Sequence, residues 1–287
     1  MPRSAPVDGF ELAYERHGSG LPVVLLHGWP GDRTDYRELA PLLADHADVV
    51  VPDLRGFGES DKLPEPAADA YSADAQARSV RGLIGELGLE PAVIAGYDVG
   101  SPIAQIIARR HPESVRALVV APPLPGAGER LIDPGQLPEW WYQDFHRLEL
   151  AEQLLDGNPT AVRAYLSHFW MHWSGPRYQP DDEALDHLAA VYGAPGAFVA
   201  SINWYRARGP AIPRALAERP PAPQDRIAAP TTVLWPEHDP LFPRAWGDRL
   251  DEFFDESPCA TSPARGTSAR WRRRQSSRMP YAKGFQV

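Results

Sequence analysis

Short apolar runs alternate with stretches of helical spacing from Leu12 to Val120, the pattern of parallel strand–helix–strand units. It predicts strands at 12–16, 23–26, 49–52, 92–96, 117–120 and 231–235, and amphipathic helices at 34–44, 75–86, 101–110 and 246–254. There is no internal repeat. After Pro123 the alternation stops, and roughly 90 residues of helical, aromatic-rich sequence follow before the next buried strand, too long for a plain loop. The pattern divides the chain into a first core part (1–123), an inserted helical cap (124–222), a second core part (223–256) and a tail (257–287). The fold class is α/β, with a mostly parallel central sheet.

Composition narrows the picture. With 287 residues and 43% apolar content the chain can bury one α/β core and an inserted subdomain. Its start is too polar for a signal peptide, and no run approaches the roughly 18 apolar residues of a membrane helix. The single cysteine, Cys259, excludes an internal disulfide framework. A cytoplasmic protein is expected, with no membrane contact and, at most, homodimerisation. Residues 1–256 hold 22 basic and 38 acidic residues, a net charge of -16, and no basic stripe for nucleic acid. The tail reverses this, with seven Lys or Arg and no Asp or Glu.

The strongest chemical signal is Gly96-Tyr97-Asp98-Val99-Gly100, after one apolar run and before a helix. Small residues two before and two after a central side chain permit the sharp strand-to-helix turn of a nucleophile elbow. Here the central residue is an aspartate. Attack by Asp98 on a saturated carbon would give an alkyl ester. The bland alternative is an aspartate that caps the following helix. Two further motifs stand at the ends of neighbouring strands: His27-Gly28-Trp29-Pro30, and Asp53-Leu54-Arg55-Gly56-Phe57-Gly58-Glu59-Ser60-Asp61.

In order and spacing, these three motifs resemble the epoxide hydrolase and dehalogenase branch of the α/β-hydrolases, over residues 10–255. The resemblance implies that the Trp29 and Val99 N–H groups form an oxyanion hole, and that His27 shapes that loop without acting as a base. It makes Asp239, in Leu234-Trp235-Pro236-Glu237-His238-Asp239-Pro240, the acid that orients a catalytic histidine; the alternative is a loop aspartate before proline. It also implies two cap tyrosines that hold the epoxide oxygen. Tyr142, in Trp141-Tyr142-Gln143, and Tyr205, in Asn203-Trp204-Tyr205-Arg206, match them. Either could instead be cap core with a satisfied hydroxyl. Where a haloalkane dehalogenase has a halide-binding Trp after the nucleophile, or a fluoroacetate dehalogenase an Arg, this chain has Val99. That departure argues against dehalogenation. The expected substrate is a small apolar epoxide with water, and no cofactor or metal is needed.

One part is missing. The family's catalytic histidine lies near the chain's end in a Gly-His-Phe-like setting, whereas no histidine follows His238 here. The final strand and helix are also expected to be absent, because 257–287 lacks apolar periodicity. A solvated basic tail is the ordinary reading. A frameshift in a GC-rich gene accounts for more. Reading from the codon of Glu256 in the alternative frame, with free choice of the wobble base, gives VTLRHVPGAGHFSPVEAAAEFADAIREG. That is a strand, a Gly-His-Phe loop and an amphipathic helix. The histidine codon would straddle those of Gly266 and Thr267. The sequence therefore predicts an epoxide hydrolase that forms an ester on Asp98. The alternatives are a dehalogenase with the same nucleophile, and a catalytically impaired α/β-hydrolase that binds a ligand or partner.

Overall fold

A computed structural model describes residues 1–176, 178–179, 181–255 and 259–262. Seven strands form one sheet: β1 Tyr14–Gly18, β2 Leu21–Leu26, β3 Ala47–Pro52, β4 Ala92–Gly96, β5 Val115–Val120, β6 Thr231–Pro236 and β7 Cys259–Ser262. Their order is β1-β3-β2-β4-β5-β6-β7. Only β1 runs antiparallel to its neighbour. The apolar runs are near-continuous because both faces are covered, as expected of parallel strands. Alternate residues then sort by face: Val24, Leu26, Val50 and Ile94 enter one core, and Val23, Leu25, Val49, Val51 and Val93 the other.

In the first part of the chain, α1 spans Leu39–Leu43, α2 Ala67–Ala70, α3 Ala73–Glu86 and α4 Gly100–Arg110. Between β5 and β6 lie six more: α5 Trp141–Phe145, α6 Glu149–Leu155, α7 Pro159–Trp173, α8 Asp182–Tyr192, α9 Ala197–Arg208 and α10 Ala211–Ala217. Their apolar residues, including Tyr142, Phe169, Trp173 and Tyr205, join the larger of the two sheet cores. Among the described residues no helix is long and apolar enough to cross a membrane.

Three expectations need correction. The helix predicted over 34–44 is a 3-10 turn, Arg33–Tyr36, followed by the short α1. Pro41 has no N–H for the carbonyl four residues back, so it is tolerated only in a first turn and the helix restarts at Leu39. The stretch predicted as a helix over 246–254 is a 3-10 segment, Arg244–Glu252. Leu250 is its one buried residue, so it offers no apolar stripe for a packed α-helix. The last strand, expected to be absent, is present: Cys259 to Ser262 pair in parallel with Val233 to Pro236. The outer edge of β6 offers unpaired N–H and C=O groups, and pairing by backbone asks little of side chains. The rest of the tail, with Gly266, Thr267 and the helix of the alternative frame, lies outside the described residues.

Helix α8 is tied to the loop that follows β2. The Tyr192 hydroxyl donates to the Gly31 carbonyl at 2.6 Å and accepts from the Gly31 N–H at 3.0 Å. His187 Nε2 meets Asp32 Oδ2 at 2.7 Å. Burial alone would raise the Asp32 carboxyl, but hydrogen bonds from His187 and Thr34 bring it down to about 2. The bond to Asp32 in turn raises the His187 imidazole. Stability from a depressed carboxylate is lost as pH falls through its folded pKa, and stability from a raised imidazole is lost as pH rises through its folded pKa. The latch is therefore strongest between about pH 4 and 6.5, the ordinary values of the two groups. The difference in Tm between the unmodified protein and His187→Gln, measured by calorimetry, should be greatest in that window. It should shrink toward pH 8; a difference that grows above pH 7 would contradict the pairing.

Candidate active site

The turn from β4 into α4 is made by Tyr97, Asp98 and Val99. Asp98 adopts a left-handed backbone, with φ of 46°, held by its N–H to the Pro122 carbonyl at 3.0 Å. Such a conformation is rare for a residue with a side chain and is tolerated where the surroundings enforce it. Close packing enforces it here. A Cβ on Gly96 would lie 2.6 Å from the Gly100 carbonyl carbon, and one on Gly28 would lie 2.5 Å from Asp98 Cβ. Asp98 does not cap α4: the N-cap position is Val99, with no side-chain hydrogen bond. Instead Asp98 Oδ1 accepts the Trp29 N–H at 2.7 Å. Burial pushes the Asp98 carboxyl up to about 6, while the N–H groups of Trp29 and Val99 and the charge of Arg208 pull the other way.

The loop that carries Trp29 is braced from beneath. His27, fully buried, accepts the Leu54 N–H on Nε2 at 3.0 Å and places Nδ1 3.0 Å from the Gly28 carbonyl, so Nδ1 carries the proton. Asp53, also fully buried, accepts the Arg33 and Glu59 N–H groups and pairs with the Arg33 guanidinium at 2.5 Å. Buried charges need such partners. The motif at 53–61 thus fixes the two loops against each other and contributes no reacting group.

Above Asp98, the Trp29 indole sits among aromatic rings of the inserted helices. Ring centroids lie at 4.7 Å for His146, 5.1 Å for Phe169, 5.8 Å for Tyr205 and 6.1 Å for Tyr142. Tyr142 and Tyr205 cross edge to face at 5.6 Å. Both line a cavity of about 380 Å³ together with Asp98 and Val99. Leu124, Leu131, Trp140, Trp204 and Phe242 supply its apolar wall. Burial raises both phenols well above their ordinary range, with the Asp98 charge adding to the effect, so both hold their protons. The Tyr142 hydroxyl accepts from Gln143 at 3.1 Å. The Tyr205 hydroxyl is buried with no hydrogen-bond partner among the described residues, which is unusual for a buried polar group.

Asp239 follows β6 and is buried, with Oδ1 accepting the Leu241 and Phe242 N–H groups at 2.9 and 3.0 Å. It does not line the cavity, although Phe242 does and the Asp239 charge contributes to raising Tyr142. The structure therefore brings Asp98, Val99, Tyr142 and Tyr205 together around one space, with the Trp29 N–H on Asp98 and Asp239 set apart. His238 is exposed. His146 lies outside the cavity lining, bonded to the Tyr165 hydroxyl at 2.9 Å and kept neutral by burial. Among the described residues no cluster of His, Cys, Asp and Glu could hold a metal ion.

Two cavity residues were missed in the sequence, Arg208 and Arg214. A signal for one existed: Arg208 stands three residues after Tyr205 in α9, and that spacing shares a helix face.

The comparisons agree with this geometry. Residues 22–264 match the model of the alpha/beta hydrolase fold family. A soluble epoxide hydrolase from a Corynebacterium species is 28% identical over 218 residues, 70% of each chain. A fluoroacetate dehalogenase from a Burkholderia species is 41% identical over 196 residues, 67% of this chain and 64% of that one. A solved structure described as one of the novel epoxide hydrolases from metagenomes of hot environments superposes with a TM-score of 0.80. It is 25% identical and covers 94% of this chain and 93% of its own. With a parallel sheet, an elbow at the end of its fourth strand and a family model that spans most of its length, the chain belongs to the alpha/beta hydrolase fold family.

Proposed function

We propose that the chain opens epoxides through a covalent ester on Asp98. The observation that carries this reading is the pairing, around one cavity, of a buried carboxylate with two protonated phenols, one of them without a hydrogen-bond partner among the described residues. Strained ring opening needs a nucleophile on one side and a proton donor for the departing alkoxide on the other. With Oδ1 held by the Trp29 N–H, Oδ2 attacks a ring carbon. The ring C–O bond breaks, and its oxygen takes a proton from Tyr142 or Tyr205. The inserted helices thereby act as the cap that presents the donors. The Oδ1 atom becomes the ester carbonyl, already on the Trp29 N–H, which with the Val99 N–H would stabilise the tetrahedral oxyanion when water adds. Water then adds to the ester, its oxygen leaving in the vicinal diol or the carboxylate, and the proton released as the carboxylate re-forms restores the phenol. The relatives named epoxide hydrolases support this activity.

The second reading is dehalogenation, favoured by the fluoroacetate dehalogenase relative. Val99 offers no indole for a halide next to the nucleophile, whereas the phenols suit an alkoxide. Halide release that survives Tyr142→Phe would favour the dehalogenase.

Activating that water requires a base, and Asp239 is the residue proposed to orient it. No histidine follows His238 in this sequence, so we propose that 257–287 are read out of frame and that the alternative frame restores the base. With enzyme below substrate, the chain as given should consume about one equivalent of an epoxide such as styrene oxide. A chain carrying the alternative frame from the codon of Glu256 should turn over repeatedly. Repeated turnover by the first, or none by the second, would sink the proposal.

Single-turnover experiments, with enzyme in excess of styrene oxide, isolate the ring opening. Only the carboxylate attacks, so the rate should fall about tenfold per pH unit below about 6 and level off above it. A profile that breaks near pH 4 would mean that Asp98 is not buried as described. Tyr142→Phe and Tyr205→Phe should each slow consumption. The double variant should lose about 100- to 10,000-fold, the usual worth of general acid assistance. Parent-like consumption by the double variant would reduce the phenols to packing.

A further inference from the structure

The cavity is not wholly apolar. Arg208, at the end of α9, and Arg214, in α10, both line it beside Asp98. Neither makes a salt bridge with a carboxylate among the described residues. The Arg208 guanidinium lies 4.5 Å over the Trp204 ring. Among the described residues Arg214 Nη1 reaches the Arg208 and Gly209 carbonyls, both at 3.4 Å. Burial, reinforced by the like charge of Arg214, lowers Arg208 to about 9, so it remains cationic at neutral pH. Glu218 also faces this space, with Oε2 taken by the Gly126 N–H at 2.7 Å.

Arg208, half-buried, and Arg214, exposed, place two like charges in the cavity lining, and a planar anion between them relieves their repulsion. The Asp98 carboxylate is committed to the Trp29 and Val99 N–H groups and turns into a neutral ester on reaction. Its loss of charge leaves the arginine pair still less compensated at the ester stage. A substrate that brings its own carboxylate would be drawn in by the pair, screened from Asp98 before attack, and held while the ester waits for water.

Resting on the epoxide reading of the same site, we propose that the substrate is an epoxy acid, with its carboxylate bound by Arg208 and Arg214 and its hydrocarbon part against Trp140, Trp204 and Phe242. This replaces the simple apolar epoxide suggested by the aromatic sequence of the cap. The carboxylate takes no part in bond making. The balance of the reaction stays that of epoxide and water giving diol.

Hexanoate and hexanamide serve as unreactive probes of equal length, titrated against tryptophan fluorescence, since Trp140 and Trp204 border the cavity. Hexanoate should bind the unmodified full chain at least about tenfold tighter than hexanamide, the worth of one charge-assisted hydrogen bond. Arg208→Gln and Arg214→Gln should each weaken hexanoate by about that factor and leave hexanamide where it was. Asp98→Asn, which lacks the proposed nucleophile, should bind hexanoate as tightly or more tightly. The binding result therefore stands or falls apart from the epoxide chemistry. Equal affinities of acid and amide for the unmodified protein would overturn the proposal, as would a double arginine variant that keeps its preference for the acid.

Discussion

Everything at this site hangs on one hydrogen bond, the Trp29 N–H to Asp98 Oδ1 at 2.7 Å. A carboxylate in a desolvated position costs heavily unless donors meet it. The protein meets it with backbone N–H groups, which cannot rotate away or give up their protons. Full neutralisation does not follow, and Asp98 stays near a pKa of 6. That compromise suits a nucleophile: it is ionised at neutral pH yet poorly solvated, so little water must be stripped before attack. Because the Trp29 N–H sits on the atom that becomes the ester carbonyl, one arrangement serves both half-reactions of the proposed mechanism.

Trp29 also ties the core to the helices above it. Its backbone faces Asp98 and its indole is enclosed by His146, Phe169, Tyr142 and Tyr205. Displacing the helical segment would therefore disturb the donor on Asp98 as well as the phenols. The loop cannot yield from below, since His27 and Asp53 lock it to the strand ends through buried hydrogen bonds. Tyr192 and His187 hold it from α8. Positioning of this kind, by packing and buried polar contacts around a strained turn, keeps reacting groups within the tolerance that catalysis demands.

Much of this was legible in the sequence because it depends on residues close together along the chain. Gly96 to Gly100 announce an elbow through the small residues that the turn requires, and the apolar runs announce strands covered on both faces. Tyr142 and Tyr205 were found through local motifs that resemble those of known enzymes. What escaped depends on three-dimensional placement. Arg208 looks like an ordinary surface cation at a helix end and Arg214 like one on a helix face, and only the fold brings both into the lining of one cavity. The 3-10 geometry at Arg244–Glu252 reflects how little of that stretch is buried. Strand β7 was misjudged because apolar periodicity was the test, whereas an open strand edge recruits whatever extended backbone follows it. The 53–61 motif was readable as a family mark, but its role as a brace needed the ion pair with Arg33.

The central claim is that Asp98 itself becomes covalently bonded to the substrate. Its most direct test is peptide-level mass spectrometry of the protein quenched in acid after brief exposure to styrene oxide. The account predicts a single adduct of the full epoxide mass on the Asp98 side chain, absent from Asp98→Ala. An adduct elsewhere, or diol formed with no labelled Asp98 at any time, would contradict it.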